Sequence, residues 1–523
     1  MTAHSREFEE RLPRPLATLV VGAVLVRLLL VAVRRPLWLD EVALAEPLRA
    51  TALIDLPFSD LQGQSAPIGF VLLVKMCGVV LGYGELSLRL TPFIFSSASV
   101  LLASRIILRT QSSSFFRFAT LLAVSFAPPL LFYSQELKPY SVDCFVALLA
   151  LMLTSGEDGS DERRNAWAWF FLLPLLSTTG GLVLTVALAW QVARQAVLNR
   201  ATGSIGFWRS FRSAACALWL RLVLTAVALA IQLGYQVVSL GSASGFLQEY
   251  WSDEGGFPSS LSAEYLRWLS EAVAHLGVYP VSTAARVWPS FEIPAWLALV
   301  AFVLVLVLSV RWRVGGAQFF VLVTLTFLAL ATLGLYPFHS RLVLFLVPLQ
   351  LIALGSLGER LCERLRLEVR FDALCQSLSP WFVVALKRAP TFLLLLGSLV
   401  ILATKAPSDL QTLRSLNSLN AVTDYNRVEC LAIGGCSDRL LLIDTQTSTL
   451  LRWYSGASRE LGRGGMTLAV NGGEADASIE KVVIFSAHSV GWVGETSSGF
   501  GEAGWFIEQD ILRPGFRLMV LDR

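Results

Sequence analysis

The sequence is short of charge. Charged residues fill 15% of its 523 positions, against 54% apolar, where an ordinary soluble domain carries about 25% charged residues. That excludes an ordinary soluble domain and points to a chain that crosses a membrane many times. The net charge of only +3 leaves no basic field of the kind that nucleic-acid binding requires. Cysteine is present without a metal-binding pattern. Of seven, only Cys430 and Cys436 lie close together, as Cys-x5-Cys, looser than the usual zinc repeats. Cys77, Cys144, Cys216, Cys362 and Cys375 are scattered in or beside apolar runs and read as small apolar residues. No internal repeat or long low-complexity tract stands out. The polar start, Met1–Pro15, has no cleavable-signal pattern, so the apolar run from Leu16 to Val33 is expected to remain as an anchor.

What the chain does have is a succession of apolar segments, the last beginning near Thr391. A helix needs about 20 apolar residues to span a bilayer, and the segments predict about eleven spans on that measure. Basic residues cluster in five loops: Arg105/Arg109/Arg117, Arg163/Arg164, Arg194/Arg200/Arg209/Arg212, Arg311/Arg313, and Arg360/Arg364/Arg366/Arg370/Lys387/Arg388. Loops near span ends on the cytoplasmic side are enriched in Lys and Arg. All five fall on that side if Ile68–Leu81, short and carrying Lys75, lies against the membrane without crossing it. The N-terminus is then cytoplasmic. The opposite face carries residues 34–90, Tyr133–Tyr140, a turn at Ser177–Gly180, a long loop 239–293, Tyr336–Arg341 and the tail.

The expected organisation is thus an α-helical polytopic membrane module, 1–405, followed by a small α/β domain, 406–523. The tail has Gly-rich turns and three runs that read as strands, Leu440–Asp444, Lys481–Ser486 and Phe516–Leu521, with a helical pattern near Leu450–Gly456. On the non-cytoplasmic side Cys430 and Cys436 would meet an oxidising compartment, where they are candidates for a disulfide.

Four polar clusters converge on the same face. The first is Asp40-Glu41, directly after the first span. The others are Tyr133–Tyr140, containing Glu136 and Lys138, then Tyr336–Arg341, containing His339, and the loop Gly245–Trp268, with Glu249, Tyr250 and Trp251. Acids this close to a bilayer are costly unless they meet water, a cation or a substrate. A carboxylate can take a proton from a hydroxyl nucleophile or hold a cation. Lys and Arg at the bilayer surface suit a phosphate, Arg by its bidentate fork and Lys as a point charge. Aromatic residues can stack on a sugar or line a lipid groove. Each cluster also has a plainer reading: a helix cap for Asp40-Glu41, a local ion pair for Glu136 and Lys138, a headgroup anchor for Arg341, a surface ring for His339, and a packing lid for the aromatic loop.

Trp38-Leu39-Asp40-Glu41 resembles the first-loop motif of GT-C glycosyltransferases, in particular the ArnT/protein-mannosyltransferase-like and RgtA/B/C/D-like bacterial proteins. Ser65-Ala66-Pro67-Ile68-Gly69, Leu81-Gly82-Tyr83 and Leu88-Arg89-Leu90-Thr91-Pro92 are similar to their Pro-containing helix, Gly turn and entry to the next span. Ser134-Gln135-Glu136-Leu137-Lys138-Pro139-Tyr140 is similar to their Ser-Gln-Glu-x-Arg-x-Tyr turn, with Lys138 at the Arg position. Tyr336-Pro337 with Arg341 and Pro348 resembles a later span start. The resemblance runs in order over most of Leu16–Leu357. It implies an inverting glycosyltransferase of the bacterial inner membrane, multi-pass, working on the periplasmic face. The donor would be a polyprenyl-phosphate-linked sugar and the acceptor a lipid, a glycan or a protein. Asp40 and Glu41 would be catalytic, with Asp40 the general base, and Glu136 would position the acceptor or a divalent metal ion. Lys138, Arg341 and Tyr140 would hold the donor phosphate, with His339, Tyr336, Glu249, Tyr250 and Trp251 as further candidates. Two other classes stay open: a transporter or flippase for a lipid-linked sugar, and a non-catalytic subunit of an envelope assembly complex.

Overall fold

The structure is a computed structural model. It describes residues 12–32, 37, 39–61, 63–155, 167–201, 207–240, 243–258, 263–281 and 294–365, together with five strands between 439 and 522. The chain divides into two compact units. One comprises Met1–Val33 with Thr51–Val400, the other Arg34–Ala50 with Ile401–Arg523. The acid pair Asp40-Glu41 therefore belongs to the second unit, although it follows the first span directly in sequence.

The first unit is helical. Its described helices are α1 (Arg14–Ala32), then α3 (Ile68–Leu81), α4 (Glu85–Leu88), α5 (Leu90–Thr110), α6 (Ser114–Phe126), α7 (Pro128–Phe132) and α8 (Tyr140–Ser155), with α2 left to the second unit. They continue as α9 (Trp167–Leu176), α10 (Thr178–Ala201), α11 (Phe207–Leu240), α12 (Ala243–Asp253), α13 (Ala263–Val278), α14 (Ala295–Arg311), α15 (Gly315–Thr332) and α16 (Leu346–Leu365). Among the described residues four helical stretches are long and apolar enough to span a bilayer alone: α1, α5, Leu218–Leu240 within α11, and α15. A fifth span forms if α6 and the bent segment Pro128–Gln135 are taken together, and three shorter apolar helices accompany them. Many large apolar side chains face outward. On α14, Trp296, Val300, Val303, Val307 and Val310 form one exposed stripe at helical spacing. Water would penalise such a face, whereas hydrocarbon solvates it and the helix satisfies its own backbone. The unit is that of a multi-pass membrane protein.

α3 is 14 residues long, about 21 Å at 1.5 Å per residue, short of a hydrocarbon core of about 30 Å. Lys75 in its middle is buried. It donates to the Thr51 carbonyl at 2.8 Å, and its ammonium lies 5.2 Å from the centre of the Tyr83 ring. The protein itself thus solvates a charge that lipid would reject.

Small residues allow the closest helix approaches. A Cβ at Gly180 would strike Val146 at 2.5 Å, and one at Gly181 would strike Leu229 and Pro174. α10 therefore seats tightly on α8, α9 and α11, as membrane helices do through glycine contacts.

The second unit contains α2 (Leu39–Ala50), with Asp40 and Glu41 in its first turn, where the N-terminal dipole favours acids. Its sheet has β1 (Arg439–Ile443), β2 (Thr467–Val470), β3 (Lys481–Ser486), β4 (Phe506–Arg513) and β5 (Phe516–Asp522), in the order β2-β1-β3-β5-β4. β1 runs parallel to both β2 and β3, while β5 runs antiparallel to β3 and β4. The three strands read from the sequence form the centre of this sheet. Cys430, Cys436 and the expected helix at 450–456 lie outside the described residues.

Candidate functional site

The turn from Tyr133 to Tyr140 is made by proline. Pro128 and Pro129 lack backbone donors, so α6 cannot continue through them. The chain bends by 49° between α6 and Pro128–Gln135 and then tightens into a 3₁₀ turn at Tyr133–Gln135. Two hydroxyls fasten the turn: Ser134 donates to the Leu131 carbonyl at 2.6 Å, and Ser141 donates to the Tyr133 carbonyl at 2.8 Å. Pro139 then opens α8, its carbonyl accepting from Val142 and Asp143. The result buries an acid and a cation two residues apart, Glu136 at 3% exposure and Lys138 at 7%. The Lys138 amide donates to the Glu136 carbonyl at 2.7 Å, and its ammonium donates to Gln64 Oε1. Gln64 stands three residues before Pro67, where α3 begins.

An aromatic array leads away from this turn. Tyr133 and Tyr140 meet edge to face at 5.1 Å. The Tyr279 phenol is pushed well up from its ordinary pKa, first by burial and then by neighbouring Tyr133. Tyr279 stacks on His275 at 5.3 Å, and His275 stacks on His339 at 5.9 Å with the rings 9° from parallel. His339 meets Trp251 at 5.7 Å, and the Arg341 guanidinium lies 5.4 Å from the Trp251 ring centre, a cation–π geometry. Tyr250 meets Trp251 edge to face at 5.0 Å. Both imidazoles are held below their ordinary pKa. For His275, exposed overall, the causes are partial desolvation and then His339; for His339 the first cause is burial.

Backbone contacts tie the loops together. The Phe338 amide donates to the Gly256 carbonyl at 2.8 Å, and Trp268 Nε1 donates to the Gly255 carbonyl at 2.9 Å. Gly255 adopts φ 76°, the left-handed region that suits glycine. Three of the four sequence clusters therefore come together within the first unit: the Glu136–Lys138 turn, the Tyr336–Arg341 segment and the Tyr250–Trp251 loop. Glu249 is exposed on α12. Asp40 is half-buried and Glu41 fully buried in the second unit.

Tyr336 also belongs to a polar network whose other members, Asp143, Ser177 and Thr179, the motifs did not flag. Ser177, at the break between α9 and α10, donates to Asp143 Oδ1 at 2.5 Å and accepts from the Gly180 amide at 2.6 Å. Thr179 Oγ1 is 3.0 Å from the Tyr336 hydroxyl, which donates to the Leu342 carbonyl at 2.8 Å. Burial, and then Asp143, push the Tyr336 phenol up, so it remains a donor at neutral pH. Asp143 had a legible signal as a lone acid in an apolar run. His275 and Tyr279 had none beyond their place in an amphipathic helix and the turn after it. No group of three His, Cys, Asp or Glu side chains poised for a metal occurs among the described residues.

No protein-family model matches the chain, and no curated protein matches it by sequence. Its structure is similar to two crystal structures of ArnT from Cupriavidus metallidurans. One is bound to undecaprenyl phosphate, at 15% identity and a TM-score of 0.45. The other is in the apo state, at 14% identity and a TM-score of 0.48. Each match covers 97% of this chain and 97% of the other.

Proposed function

We propose that the chain is a membrane glycosyltransferase that moves a sugar from a polyprenyl-phosphate donor to a cell-envelope acceptor at the non-cytoplasmic face, with inversion. The observation that carries this reading is the Glu136–Lys138 turn, a buried acid and cation whose Tyr133 neighbours Tyr279, from which ring contacts run through His275, His339 and Trp251 to Arg341. Lys138 and Arg341 supply the cations that a lipid phosphate would use, and Tyr140 adds a phenol; the Tyr336 hydroxyl is already spent on the Leu342 carbonyl. Rings of the array offer apolar faces to a sugar. A leaving phosphate needs no proton at neutral pH, so a cationic clamp serves that half of the reaction.

The other half needs a base, because an acceptor hydroxyl is a weak acid and must lose its proton as it attacks the anomeric carbon. Asp40 is assigned that role by its place in the first-loop motif, with Glu41 as its neighbour and Glu136 as a positioning acid. The phosphate and base assignments rest on different residues and are tested separately. Purified protein in lipid nanodiscs should bind a polyprenyl phosphate, and sugar transfer from the glycosylated carrier should fall by about 10²–10⁴-fold in Asp40→Asn. Binding without any transfer would favour a carrier or flippase. Near-wild-type transfer by Asp40→Asn would remove Asp40 from the mechanism.

A further inference from the structure

Arg27 is a full cation inside a membrane helix, 1% exposed, and the reaction proposed above does not use it. Such a residue is costly in a bilayer unless its donors are spent on protein acceptors. Its donors are spent on a particular set. Nε donates to Ser96 Oγ at 2.8 Å on α5. Nη1 donates to its own helix at the Ala23 carbonyl, at 3.1 Å, and to the Ser125 carbonyl at 2.9 Å.

Ser125 is where the sequence has created a vacancy. In a continuous helix the carbonyls of Val124 and Ser125 would accept from the amides of residues 128 and 129. Both of those residues are proline and carry no N–H. A buried carbonyl without a donor is costly, and Arg27 reaches across from α1 to supply one. It does so at the bend from which the Tyr133–Tyr140 turn is thrown. Next to Arg27 is a cavity of about 10 Å³ whose lining includes Ser99, Ser141 and Cys144, room for roughly one water and none for a phosphate or a sugar. Arg27 therefore acts through the bend and not on a ligand.

We propose that Arg27 is a positioning residue: by replacing the hydrogen bond that Pro129 denies to Ser125, it fixes the bend that holds Glu136 and Lys138 in place. The effect on lipid phosphate rests on the function proposed above; the effect on the turn does not.

The test separates the two. In full-length protein lacking native cysteines, Ser134→Cys reports the turn and Ser356→Cys reports the far end of the helices; both positions are buried. Arg27→Met should raise thiol labelling at position 134 by about tenfold, the scale of a lost hydrogen bond to a charged group, and leave position 356 unchanged. Arg27→Lys, which keeps a cation and a donor, should restore much of the protection. If Arg27→Met does not accumulate, Arg27→Gln is read the same way. Unchanged labelling at 134, or an equal rise at both positions, would overturn the proposal, the latter showing a general staple. Affinity for a polyprenyl phosphate should weaken in parallel with labelling at 134. Failure of the unsubstituted protein to bind that lipid would count against the proposed function, while the labelling still decides the role of Arg27.

Discussion

The loop at Gln111–Ser113 and the turn at Tyr133–Pro139 lie at opposite ends of the same bent helix pair; both are fastened through the backbone, but their buried charges have different kinds of partner. At the first, one oxygen of the buried Glu359 carboxylate accepts from the Ser112 amide at 2.7 Å, the Ser112 hydroxyl at 2.7 Å and the Ser113 amide at 2.5 Å. Arg117 closes the neighbouring helix end by donating to the carbonyls of Gln111 and Leu108. These are directional bonds, mostly to fixed backbone groups. At the second, the Ser134 and Ser141 hydroxyls also bond backbone carbonyls, but Lys138 reaches a side-chain amide, and in the array beyond it rings meet across 5–6 Å and Arg341 lies over an indole. A side-chain amide or a ring can move with its own side chain, whereas a backbone donor inside a helix end cannot. A buried charge committed to backbone donors is a lock. Charges set among rings and flexible amides form a surface that can reorganise around a ligand.

That contrast breaks most visibly at Lys138. Lys138→Met removes the cation and keeps most of the bulk. Affinity for a polyprenyl phosphate should fall by about 10–100-fold, the range of a charge-assisted hydrogen bond, with a thermal midpoint lowered by a few degrees at most as Gln64 loses the ammonium it accepts from. Calorimetry or a competition assay in nanodiscs reads the first quantity and a thermal melt the second. A large fall in the midpoint with affinity intact would make the Lys138 turn a lock like its counterpart.

Glu359→Ala should do the reverse. It leaves three donors without their acceptor, two of them on the exposed Ser112 where water can replace it, and should cost about 1–2 kcal/mol of stability, read as a lower thermal midpoint. Lipid-phosphate affinity should stay within about twofold, since that change is only about 0.4 kcal/mol. Loss of affinity at constant midpoint would show that the far loop is coupled to the site.

Much of this was legible in the sequence for a definite reason. Apolar length marked α3 as a short helix, which the structure makes 14 residues long, and the Ser-Gln-Glu spacing marked the turn that the structure buries. The three strands read in advance, β1, β3 and β5, are the apolar centre of their sheet. The two missed, β2 and β4, are its edges. β2 has four residues, and β4 carries Glu508-Gln509-Asp510 in its interior, the brevity and polarity that edge strands use against unwanted pairing. The Asp143–Ser177 contact spans 34 positions and forms where Gly180 lets α10 seat closely on α8. His275 reads as one polar residue on an amphipathic helix until folding lays His339 over it.

The stacked imidazoles give the smallest expected effect and the sharpest test of how soft the array is. Both His275 and His339 are held below the ordinary value of 6.5 in the folded protein. Around them stand Glu254, which raises the His339 value, and Arg341, which lowers it. A group with a lowered folded pKa takes up protons more readily when unfolded, so the stability it contributes is full above about pH 6.5 and is lost as pH falls through the lowered folded values. Between about pH 7.5 and pH 4.5 the wild-type thermal midpoint should drop further than that of His275→Phe, which keeps a stacking ring and cannot titrate. The difference should be at most about 2 °C, limited because His275 is exposed and solvent screens its charge. Parallel pH profiles for the two proteins would mean that the array yields freely when a charge enters it. A drop much larger than that range would mean that the rings are as rigidly committed as Glu359.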